Sequence, residues 1–409
     1  MLERLDTIDW ANISTCYGCA SEIPVAIREL WSEDRDARDI ALGTIRHMLE
    51  NQGYICEAAP LAVPFLLEVL ANSAFQEKHL LVDFLTYLCS LPRYGETYLM
   101  LDQRVELQKR NEGRKRIPPG LRDVERERAE ETHRALRAGL PIFCSLLSDS
   151  DPLIRELAAF LLAAFPADSS RLLEPVMRLL QVEKDEYARC SLLLCLGHLQ
   201  EPLPEVSQLL LSTLDHAETP LLHYAAARAL CLLLKEQAPE KAIDLFCQAL
   251  IHPRFSWRPA YKPCYSPWSI EDTHTLALLS LDQLLTSPHR TRVIERLSEV
   301  YFLVEEDSDE ACADLLLRVA FYEEGVPANS DGEGSDAPYS SIAFNNLTHL
   351  QQTILRLLAD RESLWNKPNL DFDPFSGIEI EKPDPVSLKP LAYLELPSTR
   401  QSLRTFLHL

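Results

Sequence analysis

One recurring spacing constrains the fold of this chain more than anything else in it. Pro24, Pro141 and Pro175 are each followed ten residues later by an aspartate, Asp34, Asp151 and Asp185. Each aspartate is followed four residues later by an arginine, Arg38, Arg155 and Arg189. The second and third copies lie 34 residues apart. The same offset again puts His223 in the arginine slot, and a copy starting at Pro64 puts Lys78 there. A period of this length means helix pairs stacked side by side, because one pair alone cannot bury its apolar face.

The apolar positions keep the same beat. Leu146, Leu180 and Leu214 are equivalent in the first helix of a pair, and Leu162, Leu196 and Leu230 in the second. A chain of 409 residues is too long for one ordinary core, so an elongated array or two domains is expected. Only 12 glycines are present, which argues against sheets with many tight turns.

Proline, aspartate and arginine each have a local reason. Pro141 and Pro175 suit the first turn of a helix, where a missing N–H costs nothing. Asp151 and Asp185 suit the N-cap of the next helix. The arginine falls in a first helical turn, where the macrodipole disfavours a cation. An aspartate in its own or the adjacent repeat is the expected partner, giving a ladder of Asp–Arg contacts.

Five regions are expected. Residues 1–100 are N-terminal repeats, with helix pairs at 24–31 with 37–50 and 60–71 with 77–91. Residues 101–135 are a charged helical insertion broken by Ile117-Pro118-Pro119-Gly120. Residues 136–304 are central repeats with an aromatic loop at 251–270. An acidic linker follows at 305–345. Residues 346–409 form a C-terminal helical segment, with a helix over 347–364, an irregular stretch at 368–390 and a last helix opened by Pro397.

These residues resemble HEAT-like repeats, as in Pro141…Asp151…Arg155, over about residues 20–290. The opening Leu5-Asp6-Thr7-Ile8-Asp9-Trp10 and the late Leu347-Thr348…Leu350-Gln351…Leu364-Trp365…Leu396-Pro397 look like a group of bacterial HEAT-repeat proteins. The resemblance implies an all-α superhelix, a HEAT-like solenoid, with a small helical C-terminal segment. It also implies a binding scaffold, and some bacterial members are thought to be toxin-neutralising immunity proteins. Others resemble phycobilin lyases or alkyl-purine DNA glycosylases, but no catalytic motif of those enzymes can be placed on this sequence.

Charge narrows the partner. The formal net charge of −22 repels phosphate, so nucleic acid and anionic membranes are disfavoured and a basic protein is favoured. No apolar run reaches the length of a membrane span, and the N-terminus shows no signal-peptide pattern. The eleven cysteines read as single thiols of a reducing compartment, hence a cytoplasmic location. Cys16-x-x-Cys19 lacks the further ligands a zinc site needs and is read as two unrelated thiols; His47 and Cys56 are the residues a fold would have to recruit. No metal or cofactor is expected.

The basic run Lys109, Arg110, Arg114, Lys115 and Arg116 has no interleaved aromatics to stack bases and reads as a solvated loop. The loop holding Phe255, Trp257, Arg258, Tyr261, Tyr265 and Trp268 has the composition of an interface hot spot and is the expected partner-binding site. Its alternative role is to brace the array. The leading function is non-enzymatic binding of a basic protein on the concave face lined by second helices; the alternative is a HEAT-like enzyme such as a chromophore lyase or modified-base glycosylase.

Overall fold

The computed structural model describes residues 3–51, 54–72, 75–90, 119–252, 273–284, 289–304, 309–321, 346–366, 370–372, 379–381, 391 and 396–409. Eighteen α-helices and three two-stranded antiparallel ladders lie among them. The protein is an all-α solenoid, as the period predicts. The described residues divide into two compact units, one of those up to Leu234 and one of those from Lys235.

In the first unit, α1 (Ile23–Glu29) pairs with α2 (Arg35–Leu49), and α3 (Ala59–Leu70) precedes α4 (Lys78–Ser90). The charged segment forms α5 (Pro119–Arg137), which lays Ala129, Thr132 and Leu136 inward and packs on α3. Three further pairs follow: α6 (Leu140–Leu146) with α7 (Pro152–Ala163), α8 (Ser169–Leu180) with α9 (Glu186–Leu199), and α10 (Pro204–His216) with α11 (Pro220–Leu234). The second helices α2, α4, α7, α9 and α11 pack one on the next.

Local chemistry sets the boundaries. The Oδ1 atoms of Asp34, Asp151 and Asp185 accept from the N–H groups of Asp36, Leu153 and Ala188 at 3.0, 2.9 and 3.0 Å, capping α2, α7 and α9. Pro24 and Pro141 stand in first turns. Pro175 does not: it sits inside α8, because Ser169 and Ser170 start that helix well before it.

The middle of the stack is buried, the polar Ser191, His198 and Arg228 included. Every residue from Cys190 to Leu199 in α9 and from Ala225 to Leu233 in α11 is buried. A helical stretch with no exposed residue belongs to an interior rather than a surface. The expectation that second helices line an open concave face therefore fails at α9 and α11. Gly197 lets these two helices approach closely; a Cβ added there would lie 2.6 Å from Ala229 Cα.

In the second unit, α12 (Glu240–Ala249) packs on α13 (Thr273–Gln283) and α14 (Arg290–Val300). Next come α15 (Asp309–Phe321), α16 (His349–Asp360), α17 (Glu362–Trp365) and α18 (Arg400–Phe406). The helix α15 falls inside the stretch expected to be an acidic linker. Its Cys312, Ala313, Leu315, Leu316 and Leu317 are buried, so the acids there ride on an amphipathic helix rather than a tether. The stretch expected to be irregular holds Leu370–Phe372 paired with Glu379–Glu381. Thr348 and Thr399 open α16 and α18 with capping boxes.

Candidate functional site

Two of the three repeat arginines, Arg38 and Arg155, pair with glutamate, not aspartate. Arg38 sends Nε and Nη2 to the two carboxylate oxygens of Glu77 at 2.7 and 2.5 Å. Arg155 does the same to Glu183 at 2.6 and 2.8 Å. In both, Nη1 donates to two carbonyls of the preceding turn: Ser32 and Glu33 for Arg38, Asp149 and Ser150 for Arg155. This answers why a cation tolerates a first helical turn: carbonyl oxygens and a fork-on-fork carboxylate surround it. The arginine holds Glu77 and Glu183 below the usual carboxylate range.

Each link crosses to the next pair. Between the two arginine links, Lys78 lies 3.5 Å from Asp149. Glu183 and Asp149 also accept the N–H of the capping aspartate two residues on. The ladder stops at Arg189, whose side chain makes no hydrogen bond or ion pair with any described residue; only its N–H is engaged, by the Asp185 carbonyl at 3.0 Å. Glu183 lies 28 residues past Arg155, and the same step from Arg189 reaches Ala217, which has no carboxylate. His223, in the next arginine slot, instead donates Nδ1–H to the Leu214 carbonyl at 2.9 Å. The signal was present in the sequence: Asp149 and Glu183 are acidic, and each stands two residues before a capping aspartate.

Three more arginines pair with carboxylates, two of which, Asp168 and Asp309, are buried. Arg137 grips the buried Asp168 with two bonds of 2.7 and 2.9 Å. In the second unit, Arg361 pairs with the fully buried Asp309 at 2.7 Å and donates to the carbonyls of Phe302 and Val304. Arg296 lies 2.8 Å from Asp244. These are structural contacts that tie chain segments together.

His198 on α9 has a different consequence. Burial, with the Arg228 charge adding to it, pushes its pKa down to about 3. As pH falls below the free-histidine value of 6.5, the unfolded chain takes up a proton that the folded chain refuses. His198 therefore contributes stability above that value and loses it on acidification. Between pH 7 and 5.5 the loss is about 1 kcal/mol. His198→Asn should flatten this part of the stability–pH profile, measured by urea titration at each pH.

One open helical face of the first unit is on α2. Asp36, Ile40, Gly43 and His47 lie one below another at helical spacing and are all exposed, Ile40 at 70%. Tyr17, from the turn between Ser14–Thr15 and Gly18–Cys19, stacks on His47 with ring centroids 3.7 Å apart. Val25 and Trp31 on the same helix pair are also exposed. Beside this face, Arg46 lies 3.5 Å from Asp83 and 5.4 Å over the Tyr87 ring.

The cysteine reading needs correction here. Cys16 and Cys56 form a disulfide, so Cys16 and Cys19 are not two equivalent thiols and not every cysteine is free. The spacing of 40 residues hid this pairing, because only the fold brings the turn before α1 against the start of α3. Among the described residues no cluster of three His, Cys, Asp or Glu side chains could hold a metal ion. The expected partner-binding residues Phe255, Trp257, Arg258, Tyr261, Tyr265 and Trp268 lie outside the described residues, as does the basic run. In the second unit a shallow groove of about 630 Å³ is lined by Trp365, Asn366, Thr399, Arg400, Arg404 and Leu409. Both of its arginines are engaged, by Glu362 and Asp360. No described helix is long and apolar enough to cross a membrane.

Comparison with known proteins adds one firm point. Residues 140–231 match the family model for HEAT repeats. No curated protein matches the sequence. Solved structures that are similar include two engineered proteins, each 14% identical. One covers 66% of this chain and 100% of its own at a TM-score of 0.37. The other covers 83% and 88% at 0.32. Importin beta is also 14% identical and covers 84% of this chain and 50% of its own at 0.36. Superpositions this loose carry no weight, so the fold rests on the repeat geometry itself. Residues 140–231, spanning α6 to most of α11, carry HEAT repeats within an all-α solenoid.

Proposed function

We propose that this chain is a non-enzymatic helical-repeat scaffold that binds a basic protein partner. The observation that carries the reading is the α2 face. It combines exposed Ile40, the Tyr17–His47 stack and the exposed acids Asp36 and Asp39, whereas α9 and α11 have no open face to offer. Aromatic and aliphatic anchors among charged neighbours are what a protein interface needs. The net charge of −22 would steer a cationic partner toward the scaffold and repel nucleic acid. Binding would act by steric occlusion, and neutralisation of a toxin is one specific form of it. The loop at 254–268 is a second contact region on its composition of five aromatics and three cations.

The test is capture of a partner by the purified chain at several salt concentrations. Wild type should retain a basic partner at low salt and release it progressively as screening rises. Ile40→Glu with Tyr17→Ala should lose at least tenfold in affinity while its thermal unfolding stays within error. Equal capture by that variant would remove the α2 face from the interface. Capture indifferent to salt would remove the basic partner.

A further inference from the structure

The three sulfurs around the first turn make up a working set that the binding role does not use. Cys16 is bonded to Cys56, while Cys19, three residues further along the same hairpin, is a free and exposed thiol. The backbone holds these groups together. Cys16 N–H donates to the Met48 carbonyl at 3.3 Å, and Cys56 N–H to the Leu49 carbonyl at 3.0 Å. Ser14, directly opposite Cys19 in the ladder, donates its N–H and hydroxyl to Glu57 at 3.2 and 2.6 Å, and its carbonyl accepts from Ala58 N–H at 3.2 Å. The strand partner of Cys19 is thus clamped to the segment that carries Cys56.

Cys19 is also placed to react. It immediately precedes the 3-10 turn Ala20–Glu22, which leads into α1. Ser21 Oγ lies 3.3 Å from its sulfur. The Ser21 hydroxyl and N–H hold the Cys19 thiol below the usual range. An exposed thiol of lowered pKa on the same hairpin as a disulfide, three residues from one of its cysteines, has the features of an attacking group.

We propose that Cys16, Cys19 and Cys56 form a thiol–disulfide exchange site. The Cys19 thiolate attacks Cys16 Sγ. A Cys16–Cys19 bond forms, the Cys16–Cys56 bond breaks, and the electron pair leaves with Cys56 Sγ, which takes up the proton that Cys19 gave to solvent. One disulfide and one thiol stand on each side of the step, so no outside oxidant or reductant is needed. The exchange removes the covalent tie between the hairpin and the segment before α3. It also closes a small ring over Cys16-Tyr17-Gly18-Cys19, which pulls Tyr17 off His47 and changes the α2 face. The chemistry stands whether or not that face binds a partner.

The experiment keeps the full chain free of reductant at neutral and mildly alkaline pH, quenches with acid, alkylates, and maps the cross-links by peptide mass. Wild type should yield both Cys16–Cys56 and Cys16–Cys19 peptides, with Cys56 alkylated in the second population. The second species should appear about tenfold faster per pH unit until the thiol is ionised. Cys19→Ser should yield Cys16–Cys56 alone. Finding only Cys16–Cys56 in wild type with Cys19 alkylated at every pH would overturn the proposal, as would finding all three cysteines reduced. Either result leaves the capture test of Ile40 and Tyr17 untouched.

Discussion

Arg155→Ala should lower the unfolding free energy of the array by about 2–3 kcal/mol. Glu183 is the reason. Its side chain is only 2% exposed, and without the arginine its charge stays buried with backbone N–H groups as its remaining partners. A fully enclosed pair would cost about 3–5 kcal/mol; the guanidinium of Arg155, 16% exposed, keeps some access to water, so the smaller figure applies. The loss has a second part, since Asp149 and Ser150 lose the donor for their carbonyls. Replacing both partners, as Arg155→Met with Glu183→Met, should cost less than the two single changes added together, because no lone charge is left inside. Arg189→Ala is the internal control. It occupies the same slot in the next repeat but has no carboxylate clamp among the described residues, so its effect should stay within about 0.5 kcal/mol. Urea titration at neutral pH reads all of these. If Arg155→Ala and Arg189→Ala cost the same, the carboxylate clamp is not what the arginine contributes.

Gly197→Ala should destabilise the chain although alanine is the better helix former. Propensity alone predicts a gain of about 1 kcal/mol in a helix interior. The added methyl would lie 2.6 Å from Ala229 Cα and 2.8 Å from its carbonyl oxygen, and backbone cannot step aside as a side chain can. Overpacking of this kind costs about 2–3 kcal/mol, so the net sign is a loss. Gly43→Ala is the opposite case. Nothing lies within 4 Å of the new carbon on the exposed side of α2, so the same substitution should stabilise by about 0.5–1 kcal/mol. Opposite signs at the two glycines, measured by thermal or urea unfolding, would place the α9–α11 contact at backbone distance. A stabilising Gly197→Ala would contradict it.

The two glycines also show how far the sequence could be read. Both sit within helical patterns, and neither the period nor the composition separates them. Gly197 became special only because α11 crosses α9 at that point. The same holds for the arginines. Their slot was legible, and so was the need for something to offset the macrodipole. Their partner was not, because Glu77 and Glu183 belong to the following pair and reach back across the stack. Pro175 was misplaced for a simpler reason: one residue type suits two positions, and Ser169 and Ser170 decided which. The helix α15 was hidden by its acids, whose count masked the buried leucines between them.

What the sequence determined by itself was periodic. The 34-residue beat, the capping aspartates and the leucine rows follow from chemistry within a few turns of helix, and they are enough to specify stacked helix pairs. What the tertiary structure decided was every contact between residues far apart in the chain. It closed Cys16 onto Cys56, set Tyr17 on His47, joined Arg155 to Glu183 and buried α9 from Cys190 to Leu199. Such contacts depend on how one pair is laid against the next, and the spacing along a single helix carries no record of that.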